Sequence, residues 1–177
     1  MLGKMGRIRK LSLLKLPIKE LPVSFQNLTG LHELHVDCDF VQLNSSVLTP
    51  ELSELIVYNC KEWKCVKSRE EGFTQLAQVR QLWLEKSSFT FLLECLGEFH
   101  NMYSLDVSDC KLLREIRGVP PNLKHFRAIN CVSLGSSGSS MLSNQQLHEA
   151  GGTVYIFPGG SIPEWLDKQS KGPSMFV

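Results

Sequence analysis

The side chains best suited to bind a metal, attack a carbonyl or relay a proton here are six cysteines and five histidines. Cys60 and Cys65 are separated by four residues, a zinc-finger half-spacing, but no second pair at such spacing follows. A hydrolase would need a nucleophile held by a base. The strand-to-helix setting of G-x-S-x-G is missing, and GSSGSS at 135–140 has the composition of a linker. His32, His35, His100, His125 and His148 are scattered, and none stands in a motif that pairs it with a nucleophile. No G-x-x-x-x-G-K-[ST] loop offers a phosphate cradle. These residues predict no catalysis, no cofactor and no metal, so the chain is expected not to be an enzyme.

Charge and compartment narrow the partners. With 42% hydrophobic residues, 21% charged and a net charge of +1, the 177-residue chain reads as globular. That charge makes no electrostatic case for nucleic acid or an anionic membrane. The one basic cluster, near Lys67, is diluted by Glu70 and Glu71. Lys15 interrupts the apolar run of MLGKMGRIRKLSLLKLPI, no small-residue cleavage site follows, and no apolar run is of membrane-spanning length. Without secretion, the triplets Asn27-Leu28-Thr29 and Asn44-Ser45-Ser46 carry no weight. Reduced thiols and a cytoplasmic or nuclear location are the expectation.

The elements that must position these residues come from a repeat. IRKLSLLKL, LHELHVDCD, LSELIVYNC, VRQLWLEKS, MYSLDVSDC and LKHFRAINC each carry apolar side chains at positions 1, 4 and 6. They start at Ile8, Leu31, Leu52, Val79, Met102 and Leu123, spaced by 23, 21, 27, 23 and 21 residues. This matches L-x-x-L-x-L-x-x-N/C-x-L, the leucine-rich repeat, whose period is about 20–29 residues. The predicted fold class is an α/β solenoid: a leucine-rich-repeat horseshoe with short parallel strands over 1–134, followed by a truncated β segment. Positions 4 and 6 should face inward, and 3, 5 and 7 outward onto a concave face. Position 9, held by Cys60, Cys110 and Cys131, should turn inward and bond the unpaired turn backbone. Thiols strung along an axis inside a closed core cannot converge on one ion, so a structural role is expected for them. Leu113 and Ile116, Trp63 and Val66, and Leu21, Phe25 and Leu28 should close the opposite side of the core.

Binding is the chemistry the outward positions offer. Position 5 reads Ser12, His35, Ile56, Trp83, Asp106, Arg127, and position 7 reads Leu14, Asp37, Tyr58, Glu85, Ser108, Ile129. Ile56, Tyr58 and Trp83 are expected to form an exposed apolar patch flanked by Asp37, Glu85 and Asp106. The patch could contact a protein partner, another domain of a longer chain, or solvent alone. Asp106 and Arg127 could simply pair with each other, and His35 and His125 should point into solvent. A polar insertion at 67–72 is a further candidate contact loop, or a passive one.

After Leu134 the period stops. The 135–140 linker leads to MLSNQQLHEA, a short helix by its Ser143/Gln146 capping box, and then to TVYIF, a strand. Residues 141–177 are expected to open a β domain whose remainder is absent. MLGKMGR offers no amphipathic cap for the first repeat, so the chain is expected to be cut from something longer.

Three segments resemble the C-terminal part of plant TIR–nucleotide-binding–leucine-rich-repeat disease resistance proteins. IKELPVSFQNLTGLHEL (18–34) is similar to that family's I-K-E-L-P-x-S-F-x-N-L repeats. REIRGVPPNLKHFRAINCVSL (114–134) resembles its last repeat. FPGGSIPEW (157–165) resembles the F-P-G-x-x-I-P-x-W opening of its C-terminal jelly-roll/Ig-like domain. The resemblance implies a protein-recognition module of an intracellular innate immune receptor, with a pathogen effector or the receptor's own nucleotide-binding domain as partner. It carries over no TIR or nucleotide-binding activity, since this chain lacks those motifs. A truncated gene product acting as a decoy or partner of full-length receptors fits this departure. The alternative is a free-standing leucine-rich-repeat scaffold for another protein partner.

Overall fold

In every repeat the apolar side chains at positions 4 and 6 stand two residues apart, which puts both on one face of an extended strand. The computed structural model describes residues 7–16, 21–37, 49, 51–60, 78–92, 96–97, 99–116 and 118–134, and the backbone of 154–156 and 175–176. A strand forms at this point in all six repeats. In chain order the elements are β1 (Lys10–Leu13), β2 (Glu33–Asp37), β3 (Glu54–Tyr58), β4 (Gln81–Trp83), β5 (Phe91–Leu92), β6 (Ser104–Asp106), β7 (Glu115–Ile116), β8 (His125–Arg127), β9 (Val154–Ile156) and β10 (Met175–Phe176). One parallel sheet runs β1-β2-β3-β4-β6-β8-β9-β10, and β5 pairs with β7, also parallel, in a second, two-stranded sheet. The chain is a parallel β-solenoid.

Register follows the repeat frame without a slip. Leu11, Leu34, Leu55, Leu82, Leu105 and Phe126 pair in turn along the sheet as the position-4 row. Leu34, Leu55, Leu82 and Leu105 are all almost fully buried, as are Val36, Val57, Leu84, Val107 and Ala128 at position 6. Leu113 and Ile116 close the far side, together with Leu21, Leu28 and the partly buried Phe25. Trp63 and Val66, expected there too, lie outside the described residues.

The backbone hydrogen bonds repeat with the side chains. In the first five repeats the position-2 carbonyl accepts from two N–H groups of the next repeat. Arg9 O takes those of His32 and Glu33, His32 O those of Ser53 and Glu54, and Tyr103 O those of Lys124 and His125, all at 2.8–3.0 Å. At the other end the polarity reverses. The N–H of Leu84 donates to Asp106 O at 2.7 Å, and that of Val107 to Arg127 O at 2.8 Å. A one-residue slip would break these pairs and turn the leucines to solvent.

The expected α/β class needs a correction, because the described part of the solenoid is built of parallel strands and turns with essentially no helices. Among the described residues there is no α-helix; a 3₁₀ turn spans Val23–Asn27, and Gln78, Leu96 and Gly97 are 3₁₀ as well. Its physical cause lies in the returns. They run through turns in which a residue bonds the carbonyl three places back, as in Leu28 to Phe25, Leu31 to Leu28, Met102 to Phe99 and Leu123 to Pro120. Proline at 22, 120 and 121 has no N–H to give an α-helix.

The strand expected within TVYIF forms as β9. It stands beside β8, with His125 opposite Val154 and Arg127 opposite Ile156, and β10 follows it. The expected linker at 135–140 and the helix over MLSNQQLHEA lie outside the described residues.

Candidate functional site

Strand alternation leaves positions 3, 5 and 7 on the outer face of the long sheet, where parallel strands lie about 4.8 Å apart. The register then sets His35, Ile56, Trp83, Asp106 and Arg127 side by side as one row. Asp37 is paired with Tyr58 in the next row, and Glu33, Glu54, Gln81, Ser104 and His125 make the third. The residues expected to form a contact patch are therefore neighbours.

Their exposure differs from expectation at two places. Ile56 is 1% exposed, so it is a floor and not a contact residue. It does not belong to the interior cluster, which takes Leu55 and Val57 from the same strand. On its own face stand the larger side chains of Tyr58, two residues along the strand, and of Trp83 and His35 on the neighbouring strands. Asp106 is buried too, held by the Ser108 N–H at 2.8 Å to its Oδ1. Tyr58, Trp83, Glu85 and Asp37 are half-buried, and Arg127 is exposed. Arg127 Nε reaches Asp106 Oδ2 at 3.8 Å, a loose pair of little energetic consequence.

Other charges on this face are tied more closely. Lys10 Nζ lies 2.6 Å from Glu33 Oε1, and His35 Nε2 lies 2.5 Å from the same oxygen. Hydrogen bonds from Lys10 first, and His35 second, hold the Glu33 carboxyl below the usual carboxylate range. His35 was expected to point into solvent. Its side chain is 14% exposed instead, drawn down by Glu33 and set 6.4 Å from the Tyr58 ring. His125 is exposed, with Tyr103 edge-on at 6.3 Å. Glu54 and Asp37 accept hydrogen bonds from neutral amides, Gln81 Nε2 at 2.8 Å and Asn59 Nδ2 at 2.9 Å. Burial, and after it the Glu85 charge, pushes the Tyr58 hydroxyl above its ordinary pKa.

The thiols occupy the opposite, inner side. Cys110 Sγ donates to Leu84 O at 2.8 Å and Cys131 Sγ to Val107 O at 3.0 Å, each reaching the position-6 carbonyl of the preceding strand. At the serine of this column the roles invert, and the Cys60 N–H donates to Ser87 Oγ at 3.1 Å. Burial pushes both Cys110 and Cys131 up to about 12, which leaves them protonated and poor nucleophiles at neutral pH. Among the described residues no three His, Cys, Asp or Glu side chains come together as a metal site, and no helix is long and apolar enough to cross a membrane.

Sequence reasoning missed the residue just before the thiol. Lys15, Asn59, Lys86, Asp109 and Asn130, all at position 8, have φ between 55° and 62°. In repeats three to six this left-handed turn ends the strand and aims position 9 (Cys60, Ser87, Cys110 and Cys131) inward, whereas Leu16, at position 9 of the first repeat, is exposed. The Asn-Cys and Asp-Cys dipeptides of repeats three, five and six carried the signal, because Asn and Asp tolerate that backbone best among non-glycine residues. Missed as well was Glu54, a fourth carboxylate beside the aromatic pair. The 67–72 insertion and His148 lie outside the described residues. No protein-family model matches this chain, and no curated protein matches it.

Proposed function

We propose that this solenoid is a leucine-rich-repeat horseshoe serving as a protein-recognition module of a plant intracellular innate immune receptor of the TIR–nucleotide-binding class. Its partner is a pathogen effector or the nucleotide-binding domain of such a receptor, met in the cytoplasm or nucleus without nucleic acid, membrane, cofactor or catalysis. One observation carries the recognition role. The inward rows of the sheet repeat a single residue class, whereas the outer rows mix apolar, polar and charged residues from strand to strand and place Tyr58 and Trp83 among acids. A varied face on a regular scaffold is how solenoids present binding surfaces. The immune assignment rests on the similarity of 18–34, 114–134 and 157–165 to that family's motifs. Recognition would act by stabilising one state of the receptor switch over the other.

The test is co-expression of the full chain in leaf tissue with an autoactive receptor of this class. The expected result is a change in cell death that the Trp83→Leu chain does not produce. An unchanged response, together with no association of chain and receptor, would sink the proposal. A free-standing scaffold would instead bind a protein unrelated to immune receptors and leave cell death untouched.

A further inference from the structure

The outer face has an uneven charge distribution that the recognition reading leaves unexplained. Taking that reading as its base, we infer that Tyr58 and Trp83 form the seat for an arginine or lysine side chain of a partner segment, framed by Glu54, Asp37, Glu85 and Asp106.

Each part follows from the register. Trp83 stands next to Ile56 on the adjacent strand, and Tyr58 lies two residues beyond Ile56 on its own. The two rings therefore flank a buried apolar floor, roughly 5–7 Å from it by strand spacing and rise. Glu54 lies two residues before Ile56, Asp37 pairs with Tyr58, and Asp106 pairs with Trp83. Glu85 follows Trp83 by two residues, and its charge is felt at the Tyr58 hydroxyl.

What makes this a cation seat, and not a generic apolar patch, is the distribution of positive charge. Among the described residues, positions 3, 5 and 7 of the four inner strands β2, β3, β4 and β6 hold no lysine or arginine. The cations of these rows stand at the two ends, where Lys10 is engaged by Glu33 and Arg127 faces Asp106. Arg80 and Lys86 fall at positions 2 and 8, off the three rows. Glu54 and Asp37 have their oxygens oriented by amides that orient without neutralising. A guanidinium or ammonium on the aromatic faces would gain the ring quadrupole and the surrounding carboxylates together. An acidic or neutral segment would gain neither.

The probe is a fluorescein-labelled nonapeptide of alternating arginine and serine, titrated against the full chain by fluorescence polarisation. A glutamate–serine peptide serves as the counter-probe. Binding of the arginine peptide alone is expected, weakening as salt is raised. Trp83→Leu should weaken it by about three- to thirtyfold, the range of a cation–aromatic contact. Glu85→Gln and Glu54→Gln should each weaken it by about two- to fivefold, and both leave the interior untouched if the tryptophan variant folds poorly. Glu51→Gln removes an exposed carboxylate away from the seat and should change nothing, which separates a seat from net charge.

Three results would overturn the inference: no binding of the arginine peptide, equal binding of the glutamate peptide, or an equal loss in Glu51→Gln and Glu85→Gln. If the arginine peptide fails while Trp83→Leu still abolishes the cell-death effect, the cationic class is wrong and recognition at this face stands. If Trp83→Leu leaves cell death altered as before, the recognition reading itself falls.

Discussion

Leu55 and Ile56 are adjacent residues of β3, each 1% exposed, yet they are buried by different surroundings. Leu55 belongs to the interior cluster, in a row whose members are five leucines and a phenylalanine. Ile56 lies outside that cluster, in a row that reads serine, histidine, isoleucine, tryptophan, aspartate, arginine. The inner face is restrained at every strand by the same packing problem, and so repeats. The outer face is free of that restraint, so its residues can answer to something other than the fold. Substitutions on the two faces should separate accordingly.

The largest separation should come from the interior. Leu105→Ala empties a fully buried position between Leu82 and Phe126, and should cost about 2–5 kcal/mol in denaturant unfolding. Glu85→Gln on the outer face should cost under about 0.5 kcal/mol in the same assay. Equal costs would mean that the outer face is also structural.

Next in size are the turns. Asn130→Val places a β-branched residue at φ 59° and removes the 2.9 Å bond to Asp109, with an expected loss of about 1–3 kcal/mol. Lys86→Gly, at φ 55°, should leave thermal stability unchanged or raise it by up to about 1 kcal/mol. A marked fall for the glycine variant would contradict the left-handed turn.

The thiol column should matter less at neutral pH and more in alkali. Cys131→Ala removes one buried hydrogen bond, worth about 1 kcal/mol. A thiol whose folded pKa is raised stabilises the fold fully below its unfolded pKa, and that contribution fades as pH climbs from there to about 12. Unfolding midpoints of the native chain should therefore fall above about pH 8.5. Cys131→Ala should fall less steeply, and identical slopes would count against burial of this thiol.

The smallest effect belongs to the Lys10–Glu33–His35 contact at the sheet's end. The depressed Glu33 pKa means stability that is present above the unfolded carboxylate value and is lost as pH falls through the folded one. Lys10 is largely exposed, so Lys10→Met should flatten this acid limb by less than about 1 kcal/mol. A steeper limb in that variant would reverse the assignment.

The inner face was legible because alternation and period report directly on burial: Leu34, Leu55, Leu82 and Leu105 are the position-4 residues that the spacing picks out. The buried thiols were legible for the same reason. The helical content was not, because 3₁₀ returns and helices can both bury residues spaced like Leu21, Phe25 and Leu28. On the outer face the neighbours Ile56, Tyr58 and Trp83 could be named from the frame. Ile56's burial could not, since alternation alone assigns it to the outer face. The Glu33–His35 contact was hidden likewise, because a two-residue offset says that side chains share a face and not that they touch.

Both faces of the sheet are set by the rows. Methyl and aromatic proton contacts in a through-space NMR experiment on the folded chain test them directly. Cross-peaks should link Leu34 to Leu55, Leu55 to Leu82, Leu82 to Leu105 and Leu105 to the Phe126 ring, with none from Leu34 to Leu105 or from Leu55 to Phe126. Missing neighbours, or a Leu55 signal tied to the Trp83 indole in place of Leu82, would contradict the register on which both faces stand.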